Sequence, residues 1–126
     1  MRGSSVGEER WRQLEVWELA DELARNIHIV TRGFPKEELY GLTSQIRRAA
    51  LSIPTNIVEG CSRRGDKELA HFLNIGFASL SEVKYLLHFA RSLDHLSEED
   101  YRDLEASCDQ VGKRLWSFYQ KVKQST

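Results

Sequence analysis

Apolar residues recur along this chain at alternating steps of three and four positions. In the first such segment they are Val16, Ala20, Leu23, Ile27, Val30 and Phe34. A repeat near 3.6 residues places side chains on one face of a helix, whereas a half-buried strand needs a repeat of two. No stretch alternates with period two over the length of a strand, so the pattern predicts helices.

Three further segments show the same spacing. They run from about Leu42 to Gly60, from about Lys67 to Asp94, and onward from the capping sequence Ser97-Glu98-Glu99-Asp100. Asp66 is a candidate N-cap of the third helix. Pro54 predicts a kink in the second helix, because proline removes a backbone hydrogen bond and clashes with the preceding turn. Short connections between the segments predict an all-α, antiparallel up-down-up-down four-helix bundle.

The third segment carries two adjacent apolar seams. One is Leu69, Leu73, Gly76, Leu80, Val83, Leu87 and Ala90, and the other is Phe72, Ile75, Ser79, Glu82, Leu86, Phe89 and Leu93. A face this wide predicts the most buried helix, with contacts on two sides. Glu82 and Ser79 on the second seam, with Asn56 in the second helix, predict a polar network that fixes register or subunit orientation. The reason is that a buried carboxylate must be paired or hydrogen-bonded.

Two aromatic residues, Trp116 and Tyr119, flank the apolar seam of the fourth helix. Large aromatic side chains outside a seam are often interface anchors, and the other interpretation is a wide core edge within one chain. Together with the double seam they favour homo-oligomerisation.

Length and charge limit the classes of protein that this chain can belong to. Its 126 residues suit one domain, interpreted as a flexible leader over residues 1–10, with no signal-peptide pattern, and a bundle over residues 11–124. A formal charge of −1 argues against a generally basic nucleic-acid binder. No apolar run is long enough to span a membrane. The two distant cysteines, Cys61 and Cys108, are typical of reduced thiols in a cytoplasmic protein.

The sequence shows no arrangement of catalytic residues. Glu68 and His71 have the Glu-x-x-His spacing of di-iron bundles, but such a site needs a second copy, and no other histidine has an acid three positions before it. Phosphate-binding loops, nucleophile elbows and dinucleotide fingerprints are also missing. We therefore expect a non-enzymatic protein that uses no metal, cofactor or small-molecule substrate.

Basic residues are concentrated in one stretch of the chain. From Phe34 to Gly65, five bases stand against three acids, which gives a charge of +2. The candidate phosphate-binding residues are Arg47, Arg48, Arg63, Arg64 and the following Lys67. Contact with nucleic acid is one interpretation, because each lysine or arginine bound to phosphate releases counterions. A solvated face paired with neighbouring acids is the other.

Two runs of sequence are distinctive: FPKEELYGLTSQIRRAA at residues 34–50 and SIPTNIVEG at residues 52–60. With Phe72-Leu73 and Ser79-Leu80-Ser81-Glu82, they closely resemble the four-helix-bundle family encoded in intervening sequences of bacterial 23S ribosomal RNA genes. That family is similar to the accessory variability proteins of diversity-generating retroelements. The resemblance covers about residues 11–122.

The resemblance implies an up-down-up-down bundle assembled into a ring-shaped homopentamer. The retroelement relatives imply binding to a reverse transcriptase and to nucleic acid, usually through a strongly basic surface, from which this chain departs. We expect a non-enzymatic oligomeric scaffold that binds RNA, DNA or a reverse transcriptase. The alternative is a purely protein-binding structural module, which the near-neutral charge favours.

Overall fold

The computed structural model describes residues 9–125. Within this range the chain forms four α-helices and no strand. The helices are α1 (Glu15–Val30), α2 (Leu42–Cys61), α3 (Asp66–Ser92) and α4 (Glu98–Gln124). The all-helical prediction is confirmed. None of the helices in this part of the chain is long and apolar enough to cross a membrane.

Short 3-10 turns occupy Arg10–Gln13, Thr31–Gly33 and Lys36–Glu38. The predicted leader lies outside the described residues apart from its last two positions. The first helix ends at Val30, earlier than the apolar spacing suggests, because the chain tightens into a 3-10 turn before Phe34. Phe34 itself has extended backbone, as expected for a residue that precedes proline.

The two later helix starts differ in how they are capped. Ser97 caps α4 as predicted, since its side chain accepts a hydrogen bond from the Asp100 N–H at 3.0 Å. The prediction that Asp66 caps α3 is wrong. Gly65 occupies the cap position with a φ of +85°, which a residue with a Cβ rarely adopts. Asp66 is the first helical residue, and its carboxylate accepts a hydrogen bond from the Ser125 hydroxyl.

The helices share one core. Each helix packs against its neighbours in the chain, and α1 also packs against α4. The four fully buried side chains Ile27, Ile53, Leu73 and Leu115, one from each helix, lie on the apolar seams that the spacing defines. Burying a side chain of this size contributes about 1.5–3 kcal/mol to folding.

Helices α2 and α3 approach closely at Gly60. A Cβ at this position would lie 2.8 Å from Leu69 Cδ1 and 3.0 Å from Phe72 Cβ. Any side chain at position 60 would therefore require Leu69 and Phe72 to shift. The absence of a side chain therefore sets how closely the two helices pack at this end of α2.

The second seam of α3 is covered only in part by residues 9–125: Leu86 is buried, whereas other positions of this seam are exposed. Ile75, Phe89 and Leu93 are 37%, 40% and 44% exposed, and Glu82 is exposed as well. The prediction that α3 is the most buried helix is wrong: nine of its 27 residues are buried, against ten of 20 in α2. Helix α3 packs mainly against α2 and α4, which cover its first seam and only part of its second.

Candidate interaction surfaces

The four candidate arginines do not lie together. Arg48 is in the second turn of α2, whereas Arg63 follows the end of that helix. At 1.5 Å per residue the two positions are about 20 Å apart along the helix axis. The structure therefore divides the predicted basic cluster into two parts, one at each end of α2.

Arg47 binds the end of α1. Its Nε donates a hydrogen bond to Thr31 Oγ1 at 2.8 Å, and its Nη2 donates to the His28 carbonyl at 3.2 Å. Thr31 is 3% exposed and donates in turn to the Ile27 carbonyl at 2.7 Å. A cation at the carboxyl end of a helix is also favourable for the helix dipole. The geometry gives Arg47 a structural role in joining α1 to α2.

Arg63, Arg64 and Lys67 stay together at the turn between α2 and α3. The Arg63 guanidinium lies over the Phe72 ring, 4.9 Å from its centroid. Arg64 and Lys67 are exposed, and neither has a hydrogen-bond or ion-pair partner within residues 9–125. The same turn carries Asp66 and Glu68, so its positive charge is partly offset.

A groove with a volume of about 380 Å³ runs between α2 and α3. It is lined by Tyr40, Gly41, Gln45, Arg48, Ala49, Ser52, Ser79 and Glu82. Ser52 and Ser79 are joined through their hydroxyls at 2.8 Å, and Asn56 Nδ2 donates to Ser52 Oγ at 2.9 Å. Ser79 and Asn56 thus belong to one polar network, whose centre is Ser52. Glu82 lies outside this network and is exposed on the groove.

Several large apolar side chains of the elements that form this groove are exposed. We call the surface formed by Tyr40, Leu51, Ile75, Glu82 and Phe89 the α2–α3 face. Tyr40 is 94% exposed and Leu51 55%. Ile75, Glu82 and Phe89 recur every seven residues and therefore form one line along α3. Large apolar side chains exposed along one helix face are candidate contacts for a partner.

A second, mainly apolar groove lies between α3 and α4, with a volume of about 520 Å³. We call it the Trp116 groove; its lining residues include Phe77, Leu80, Cys108, Gly112 and Trp116, with Lys84, Asp109 and Lys113 at its polar positions. Lys84 pairs with Asp109 at 3.3 Å, whereas Lys113 has no partner within the described range.

Trp116 and Tyr119 differ in their surroundings. Trp116 is 51% exposed, and its ring contacts Phe77 edge-on and Tyr119 in a stack, each with 5.8 Å between centroids. Tyr119 is half-buried against the core. The candidate interface residues thus lie in two places: Glu82, Ser79 and Asn56 at the α2–α3 groove, and Trp116 with Tyr119 at α4.

The two thiols are buried. Burial raises the pKa of the Cys108 thiol to about 12, and it also raises the pKa of Cys61, where nearby Arg10 opposes the shift. A protonated, buried thiol is a poor nucleophile and a poor metal ligand. Among residues 9–125, no group of three His, Cys, Asp or Glu side chains is placed to hold a metal ion.

Comparison with known families identifies the relationship. The model of the 23S rRNA-intervening sequence protein family matches residues 12–117. The chain belongs to this family, and the prediction made from its central motifs is confirmed. A search of curated proteins found no match.

Proposed function

We propose that this member of the 23S rRNA-intervening sequence protein family is a non-enzymatic, homo-oligomeric binding module whose copies associate through the α2–α3 face. The observation that carries the proposal is that two large apolar side chains on one face of α3, Ile75 and Phe89, are exposed, as is Leu51 of α2. Leaving this area in water is unfavourable, and association would bury it. A ring of five copies is the assembly that the family resemblance implies.

We infer that each copy is an antiparallel up-down-up-down bundle. Arg47, near the start of α2, binds the end of α1. Asp66 at the start of α3 accepts from Ser125 just beyond α4, and Glu15 at the start of α1 pairs with Arg114 in the second half of α4. Each of these contacts joins the beginning of one helix to the later part of another, which supports antiparallel neighbours.

The bend that proline causes belongs to the same proposal. Pro54 is buried within α2, and it has no N–H to donate to the carbonyl four residues earlier, that of Ala50. We expect α2 to bend at this turn. A Pro54→Ala variant would restore the hydrogen bond and straighten the helix, which a crystal structure of the variant would measure.

Light scattering at micromolar concentration tests the assembly. We expect a mass close to five times that of one chain, and a lower mass for Phe89→Ser with unchanged helicity by circular dichroism. Ile29→Ser is the matched control, because Ile29 is 54% exposed on α1, away from the face. A wild-type protein that stays monomeric would contradict the proposal.

A second candidate function is binding of nucleic acid at the α2–α3 turn. Arg63, Arg64 and Lys67 present three cations within five residues, and a ring would repeat them. Sequence preference would be weak, because no recognition-helix motif reads base edges. The alternative, a protein scaffold with no nucleic-acid role, is favoured by the charge of −1. The similarity to retroelement accessory proteins makes a reverse transcriptase the first protein partner to test.

Salt dependence separates these alternatives. If the turn binds phosphate, affinity for a structured RNA should fall steeply between about 50 and 200 mM salt, and changing Arg63, Arg64 and Lys67 to glutamine should flatten that slope. A charge-matched control changes three other exposed arginines to glutamine: Arg12, Arg25 and Arg102. Each of them pairs with an acid three or four residues away. An absence of RNA binding at 50 mM salt would favour the scaffold without a nucleic-acid role.

A further inference from the structure

We infer that the Trp116 groove of one copy receives the α2–α3 face of the next copy, so that the subunits join head to tail. This inference rests on the proposed homo-oligomerisation and names the two surfaces that meet. It assigns the second exposed apolar region of the chain to the same assembly.

The two surfaces lie on different sides of α3. Ile75, Glu82 and Phe89 form one line, whereas Phe77 and Lys84, also seven residues apart, form a second line beside α4. Positions two apart on a helix, such as Ile75 and Phe77, point in nearly opposite directions. One copy can therefore contact two different neighbours at the same time.

One surface is a helix face and the other is a groove between two helices. The α2–α3 face presents a row of large side chains, Ile75 and Phe89, on a helix. The Trp116 groove offers apolar walls from Phe77, Leu80 and Trp116, and a glycine, Gly112, lies among its lining residues. A helical ridge that enters the groove between two helices is the usual way in which helices pack.

The charges at the two surfaces also match. Glu82 lies at the centre of the line on α3 and has no ion-pair partner within residues 9–125. Lys113 lies on the Trp116 groove and has none either, because the nearby Asp109 pairs with Lys84. Contact between the face and the groove would bring an unpaired carboxylate to an unpaired ammonium group, which favours this pairing over others.

Association of the face with a second copy of itself is less well matched. Glu82 is the middle residue of the line, so a two-fold contact centred there would bring two carboxylates together. It would also leave Phe77 and Trp116 uncovered. A head-to-tail contact avoids both. Each added copy offers a new face and groove, and such contacts form a ring when the rotation between successive copies closes.

Charge reversal tests the pairing directly. Glu82→Lys and Lys113→Glu should each raise the dissociation constant of the oligomer about tenfold, and the double variant should recover most of that loss. Lys121→Glu, an exposed change on the same helix as Lys113, is the control and should leave the constant unchanged. The readouts are light scattering for mass and circular dichroism for helicity. If both single variants raise the dissociation constant and the double variant does not lower it again, the inference is wrong.

Mixing the two single variants gives a second readout. Each variant supplies the charge that the other lacks, so an equimolar mixture should assemble where neither does alone. With one variant isotope-labelled, native mass spectrometry should detect both variants in the same assembly. Assemblies that contain only one of the two variants would contradict the head-to-tail pairing.

Trp116→Ala separates a failure of this inference from a failure of the proposed function. We expect it to lower the oligomer mass as strongly as Phe89→Ser does. If Phe89→Ser dissociates the oligomer while Trp116→Ala and Lys113→Glu leave it intact, the face associates with another surface and the inference is wrong, although homo-oligomerisation stands. A wild-type protein that is monomeric would contradict both this inference and the proposed homo-oligomerisation.

Discussion

The two seams of α3 contain similar side chains in different surroundings. Leu73, Leu80 and Leu87 of the first seam are at most 4% exposed, whereas Ile75 and Phe89 of the second are 37% and 40% exposed. The first seam is covered by α2 and α4, whereas Ile75 and Phe89 of the second are exposed to solvent. Helical spacing thus identifies the side chains that need to be buried. It does not show whether the same chain or a partner buries them.

Truncating the first seam should have the largest effect. Leu80→Ala and Leu115→Ala remove buried side chains from the core shared by α3 and α4, and each should cost about 2–5 kcal/mol of unfolding free energy. Urea denaturation measures this, with the exposed Ile29→Ala as control. Losses below about 0.5 kcal/mol at both leucines would mean that the assigned core is wrong.

Gly60→Ala should have the next largest effect, because the added methyl group meets α3. A Cβ would lie 2.8 Å from Leu69 Cδ1, and overpacking of this kind costs about 1–3 kcal/mol. The sign of the change in unfolding free energy is informative. Alanine in a helix is otherwise more favourable than glycine by about 0.5–1 kcal/mol. Gly33→Ala, with no atom within 4 Å, is the control. A stabilised Gly60→Ala protein would contradict the close crossing.

The buried thiol of Cys108 predicts a loss of stability in alkali. Its folded pKa is raised to about 12 by burial, against an ordinary value of 9.0. Below pH 9 the thiol is protonated in both states and has no effect. Above pH 9 it ionises only in the unfolded chain, so stability should fall by up to about 1.4 kcal/mol per pH unit until the folded pKa is reached.

Comparison with a Cys108→Ala variant isolates this contribution. The substitution removes the titrating group, and the packing that it loses is missing at every pH. The difference in unfolding free energy between the two proteins should therefore narrow from pH 8 to pH 10. An unchanged difference would mean that the thiol is accessible to water in the folded state.

The smallest effect on the single chain should come from the second seam. Under dilute conditions that dissociate the oligomer, Phe89→Ser should change the unfolding free energy by no more than about 0.5 kcal/mol. Leu87→Ser, two residues away but 2% exposed, should destabilise the protein several-fold more. Similar losses at both positions would mean that Phe89 is part of the chain's own core.

Much of the fold could be predicted, because burial of one helix face produces a regular spacing of apolar residues in the sequence. The bounds of α2, Leu42–Cys61, agree with the predicted start at Leu42 and end near Gly60. The start of α4 also follows from local chemistry at Ser97. The end of α1 and the cap of α3 differ, since they depend on a 3-10 turn and on a left-handed glycine. The spacing of apolar residues predicts neither feature.

The candidate surfaces could be predicted only in part. Arg47 and Arg48 are neighbours in sequence, but adjacent helical positions point about 100° apart, and only packing decides which one meets α1. Ser52 is one helical turn from Asn56, a spacing that could have included it in the polar network. Its other partner, Ser79, is 27 residues away. The Trp116 groove depends on how α3 lies across Gly112, which no local pattern specifies.

The contact between Glu15 and Arg114 joins positions 99 residues apart, whereas the other helix pairs are linked by short connections. The entropy lost on closing a loop grows only with the logarithm of its length, but the short loops still close first. Folding can therefore proceed through consecutive helix hairpins, each formed locally, before α1 meets α4. A chain built from such nearby contacts belongs among the faster folders of its size. It spends little time with the second seam of α3 and the first exposed together, the condition in which copies would aggregate instead of assembling.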